Sequence, residues 1–153
     1  MVSKEVEKLL LKVQKPGRYV GGELNEVIKD KKKVDSRFAF CFPDTYEVGM
    51  SHLGMKILYS LMNAVPYIWC ERVFAPWVDM EEEMIKHNIP LYALESGDPV
   101  SDFDFIGFTL QYELSFTNML NMLRLSGVPI KSCDRKELKN IVVAGGSCAC
   151  NPE

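Results

Sequence analysis

A chain of 153 residues is the size of one ordinary domain, long enough to bury roughly 70% of the surface that its unfolded form would expose. With 47% hydrophobic residues, 25% charged residues and a formal net charge of −3, the composition is that of a soluble globular protein with no general attraction to nucleic acid. No apolar run approaches the ~20 residues of a membrane span, the amino terminus lacks a secretory apolar core, and the odd set of five cysteines suits reduced thiols, so a cytoplasmic protein is expected, with no membrane or nucleic-acid partner.

In chain order, residues 3–14 place Val6, Leu9, Leu10 and Val13 on one helical face, with Ser3 positioned as the cap. Pro16, Gly17, Gly21 and Gly22 make residues 15–23 a turn-rich connection. The basic run at 29–33 reads as a solvated linker, so residues 1–35 are expected to form a helical arm and linker ahead of a domain spanning 36–153.

From residue 37 apolar runs of four to seven residues alternate with helical periodicity, the pattern of a parallel sheet covered by helices. The expected strands are 38–42, 68–74, 91–94, 103–110 and 140–145. The expected helices are 51–63, 78–88 and 114–127, the last ended by Gly127, with Met55, Met62, Met119 and Met122 as core filler. The fold class is therefore α/β: a Rossmann-like, three-layer, mostly parallel sheet of five strands with an amino-terminal helical arm.

In an open parallel sheet, ligands bind outside the carboxyl ends of the strands. Three loops there carry residues that a plain connection does not require: "PDTYEVGMSHLG", "TLQYELS" and "AGGSCACNPE". Gly49 and Gly54 permit a tight backbone path, Ser51 can cap a helix starting near His52, and Gly145 and Gly146 leave the last strand without side-chain bulk, so that a flat ligand could lie against the backbone. The candidate cofactor-binding residues are Asp44, Glu47, Gly49, Ser51, His52, Gln111, Gly145 and Gly146, with Asp44, Glu47 and Gln111 expected to share a cleft.

Asp44 and Glu47 could form a carboxylate pair, as in a hydrolase, but no nucleophile–base constellation accompanies them, and no catalytic residue is assigned. Cys148 and Cys150 alone cannot complete a tetrahedral metal site or hold an iron–sulfur cluster, so they are expected to be free thiols and no metal ligand is assigned. The phosphate-loop and dinucleotide glycine patterns are absent.

The strings "KPGRYVGGE", "FPDTYEVGMSHLGMKILYSLMN", "WCERVFAPWVDMEEEM", "FDFIGFTLQYELSFTNML" and "VVAGGSCACNPE" closely resemble the amino-terminal portion of a family of large bacterial radical-SAM proteins. In that family a cobalamin-binding-like Rossmann domain precedes the radical-SAM barrel. The resemblance implies a 4Fe–4S cluster and S-adenosylmethionine in the full-length protein, whose downstream barrel is this domain's partner. The cluster's Cys-x3-Cys-x2-Cys signature is not in these residues, and the chain stops at Asn151-Pro152-Glu153 where the family continues, so an inactive fragment of a radical-SAM enzyme is expected.

Cobalamin domains that supply a histidine ligand carry Asp-x-His-x-x-Gly after the first strand. Here Asp44 is followed by Thr45 and Tyr46, and His52 lies farther on, so any cobalamin would bind without that ligand. The resemblance thus implies an accessory domain that docks on the barrel and shapes substrate or cofactor access. The alternative is a genuine cobalamin-binding module. A domain cut from its barrel is expected to expose an apolar patch, with Leu9, Leu10 and Val13, or Trp69, Phe74 and Trp77, as candidates.

Overall fold

The computed structural model describes residues 3–137 and 139–150, so the final "NPE" of the third candidate loop lies outside the described residues. Helix α1 (Lys4–Leu10) starts as its sequence predicts, with the Ser3 hydroxyl accepting from the Val6 N–H at 3.2 Å. Then follow strand β1 (Ser36–Phe42), helices α2 (Tyr46–Ser51) and α3 (Leu53–Ala64), strand β2 (Ile68–Phe74) and helix α4 (Val78–His87). Strand β3 (Phe105–Thr109), helix α5 (Ser115–Leu125) and strand β4 (Ile141–Gly145) complete the order.

The sheet is entirely parallel, in the order β2-β1-β3-β4, with Phe38 opposite both Cys70 and Phe105, and Phe105 opposite Ile141. It has four strands among the described residues, not five. Residues 91–94 are buried, as their apolar run requires, but make only an isolated bridge between Tyr92 and Pro99. Leu94 N–H donates to Arg72 O, and the Glu95 side chain takes the Arg72 N–H at 2.7 Å, so a side chain occupies the edge where a ladder would have continued. Apolar runs report burial, and burial alone does not distinguish a strand from a packed loop.

Alternation along the strands sends side chains to two faces. Ala39, Cys41, Val73, Ile106 and Phe108 pack with Met80 and Met84 of α4, Met122 and Leu123 of α5, and Val6 and Leu9 of α1. Phe40, Phe42, Cys70 and Phe74 point the other way, against Met55 and Tyr59 of α3. Of the expected apolar patch, Leu9, Val13, Trp69 and Phe74 are interior residues, Leu9 and Val13 in the main core beside α4 and Phe74 against Met55 and Tyr59 of α3, whereas Trp77 is exposed.

The basic run also departs from the expected solvated linker at Lys29. Its ammonium donates to the carbonyls of Asn63, Val65 and Ile68 at 2.8, 2.7 and 2.5 Å, tying off the end of α3 and the start of β2. Burial pulls its pKa down.

Candidate functional site

The chain leaves β1 toward β2 on one side, whereas β3 and β4 lie on the other. The carboxyl ends of β1 and β3 therefore flank the point where the connections reverse, the place where open parallel sheets bind ligands. Asp44 follows β1 there, Gln111 and Tyr112 follow β3, and Gly145, Gly146 and Ser147 follow β4.

These three loops are joined by hydrogen bonds. The Tyr112 hydroxyl donates to Asp44 Oδ2, Asn118 Nδ2 donates to Pro43 O at 3.0 Å, and Ser147 Oγ donates to Gln111 O at 3.0 Å. Gln111 Nε2 donates to Thr109 Oγ1 at 2.5 Å, and the other Asp44 oxygen accepts from the Thr45 N–H at 2.7 Å. The Asp44 carboxylate, with partial burial, holds the Tyr112 phenol above its usual pKa. Tyr112, Asn118 and Ser147 were not singled out from the sequence. Their only signal there is position, within a few residues of a strand's carboxyl end.

Glu47 turns away from this cluster. It accepts from Arg18 Nε at 2.9 Å and from Lys15 at 3.2 Å, both in the amino-terminal arm, and the Arg18 bond depresses its carboxyl pKa to about 2. Asp44 and Glu47 therefore do not face one another, and no nucleophile stands between them. The segment read as a loop is largely helical: α2 occupies Tyr46–Ser51, and the chain re-starts as α3 at Leu53.

His52 sits at that junction. Its Nδ1 accepts from the Met55 N–H at 3.1 Å, capping α3, and its ring lies 5.2 Å from Phe42. Ser51, expected to cap, instead donates to Glu47 O at 2.7 Å and closes α2. Gly49 is a packing glycine, since a Cβ there would run into the Phe74 ring.

The two terminal glycines differ. Gly146 has φ +104 and would press a Cβ into the Leu110 carbonyl, so its conformation alone demands glycine. At Gly145 nothing lies within 4 Å of a would-be Cβ, so the end of β4 is open beside Gln111 and Ser147. Cys148 is half-buried against the main core, Cys150 is exposed, and both are free.

Among the described residues no three His, Cys, Asp or Glu side chains gather as a metal site, and no helix is long and apolar enough to cross a membrane. The cysteines present do not fit a 4Fe–4S cluster. His52 is committed to its cap and to Phe42, so it does not fit the role of a cobalt ligand.

Neither a curated protein nor a solved structure matches the chain. A family model described as "Radical SAM proteins, N-terminal" matches residues 54–153, which takes in α3, the whole of β2, β3 and β4, and two of the three loops at the site. With well over half of its length inside that match, the chain belongs to the amino-terminal domain family of the radical SAM proteins.

Proposed function

We propose that this domain is the accessory module of a radical-SAM enzyme, docking on the catalytic domain of its own polypeptide and shaping access to it, with no catalysis of its own. The observation that carries this reading is an uncovered apolar valley. Asn63, on one flank of α3, reaches Cys70 at the outer edge of β2, so the opposite flank, with Leu58 and Leu61, turns toward β3 and β4. On that face of the sheet Phe105 is only half-buried, while Ile141 and Val143 are each 42% exposed. Family membership supplies the partner, because the N-terminal domain of a radical SAM protein is linked to a radical-SAM domain, where the 4Fe–4S cluster and S-adenosylmethionine belong.

Hydroxyl-radical footprinting of the full-length protein tests it. Docking predicts that Leu58 and Leu61, 48% and 61% exposed in this domain, are labelled far less than Leu11 and Leu24, which are 89% and 106% exposed and lie outside the valley. Labelling of all four in proportion to those exposures would refute docking at this face.

A second reading is favoured by the open end of β4. In a Rossmann-like, cobalamin-binding-like domain, a corrin would lie over Gly145 with Gln111 and Tyr112 as polar neighbours, and without a ligand from His52. Cobalamin titrated into the full-length protein and into its Gly145→Val variant tests this. Binding by the wild type that the variant loses supports it, and equal binding or none rejects it.

A further inference from the structure

We propose that the free edge of β4 is a docking site for a further β-strand, contributed by the radical-SAM region of the same polypeptide. The two edges of the sheet are finished in opposite ways. At the β2 edge each outward backbone group of Ile68, Cys70 and Arg72 is occupied. Ile68 N–H donates to Val65 O and Ile68 O accepts from Lys29 Nζ; Cys70 N–H and O are bonded by the Asn63 amide at 3.0 and 2.9 Å. Arg72 N–H donates to Glu95 and Arg72 O accepts from Leu94 N–H. No strand can add there.

The β4 edge has none of this. Ile141 N–H bonds to Asp104 O at 2.9 Å and Leu110 N–H to Gly145 O at 2.7 Å, which sets Ile141, Val143 and Gly145 as the residues laddered to β3. The N–H and C=O groups of Val142 and Ala144 therefore point outward, and no described residue bonds them. Edge strands that remain free are blunted by charge, proline or a bulge. The run Ile-Val-Val-Ala-Gly carries no charge and no proline, and its register with β3 is unbroken. Such a run is the composition of an interior parallel strand.

A strand laid about 4.8 Å away would satisfy four backbone groups and cover the flanks of Ile141 and Val143. Its own side chains beside those residues must be apolar. If the strand is parallel and follows β4 directly, a right-handed crossover places its connection on the face that carries α5. The occupant is assigned to the same polypeptide because the family joins this domain to a radical-SAM region, whose tethered strand reaches the edge at a far higher effective concentration than a second molecule does. The inference rests on family membership and not on docking at α3. Footprints at Leu58 and Leu61 can fail while the edge remains paired.

The test is residue-resolved amide exchange on the full-length protein. Val143, already laddered to β3, is the internal reference. A docked strand predicts that Val142 and Ala144 exchange as slowly as Val143. An alternating pattern, with Val143 slow and its two neighbours fast, overturns the proposal. Protection that disappears on dilution assigns the strand to a second copy and also overturns it. A photoreactive group attached at Ala144→Cys identifies the occupant: capture of a peptide from the radical-SAM region of the same molecule is expected, and capture only within residues 1–153 refutes the assignment.

Discussion

Glu95→Gln probes the ion pair that fastens residues 94–98 to β2. Glu95 Oε1 accepts from Arg72 Nε at 2.6 Å and Oε2 from the Arg72 backbone N–H at 2.7 Å, with the two side chains 0% and 4% exposed. Glutamine has the same shape but one acceptor oxygen, so its NH2 must face one of the two donors. The Arg72 guanidinium stays charged and buried. Its Nη2 already lacks a hydrogen-bond partner, and besides the altered residue 95 it keeps only the face of Tyr59, 4.5 Å away, and a weak bond from Nη1 to Met50 Sδ at 3.5 Å. Removing one member of a buried pair costs about 3–5 kcal/mol. A domain has about 5–15 kcal/mol in all, so roughly a fifth or more of the stability is at stake.

The complementary variants locate that loss in the pair. Arg72→Met strands a buried carboxyl, which burial already pushes above its ordinary 4.5. The folded variant then binds a proton that the unfolded chain releases, so its stability falls as pH rises above about 4.5. The double variant Arg72→Met, Glu95→Gln removes both charges and keeps an oxygen to accept the residue 72 N–H, leaving a buried amide NH2 without an acceptor, a loss of about 1–3 kcal/mol. The singles sum to about 6–10 kcal/mol, so the cycle should show a coupling of several kcal/mol. Urea unfolding at pH 7, followed by the fluorescence of the buried Trp69, measures all three. A Glu95→Gln variant within about 1 kcal/mol of wild type, or a double variant that loses the full sum, would show that the pair does not hold this edge.

Glu47 gives a pH-dependent counterpart at the arm. Its carboxyl is held at about 2, against an ordinary 4.5, first by the Arg18 bond, so its contribution is fully present above 4.5 and lost as pH falls toward about 2. The stability difference between wild type and Glu47→Gln should shrink across that window, and a difference that stays constant from pH 6 to pH 2 would reject the assignment. At the end of β4, Gly145→Ala should leave the urea midpoint nearly unchanged, whereas Gly146→Ala should lower it by about 1 kcal/mol or more, through its left-handed backbone and the Leu110 carbonyl. Equal midpoints for the two variants would contradict that geometry.

The sequence by itself determined the alternation of strands and helices and most of their positions. Residues 68–74, expected as a strand, form β2 over that same span, and the Ser3 cap follows from local chemistry. It also placed Asp44, Gln111, Gly145 and Gly146 at one edge, because parallel strands bring their carboxyl ends together. Tertiary structure alone decided which partners these groups take. Glu47 lies three residues from Asp44 yet bonds to Arg18, because α2 turns it toward the arm, and the partly buried Lys29 donates to three carbonyls brought together by the end of α3 and the start of β2. The run at 91–94 reads as a strand because an apolar run records burial, whereas pairing depends on what already occupies the neighbouring edge. At β2 that occupant is Glu95, a residue whose role exists only once residues 72 and 95 meet.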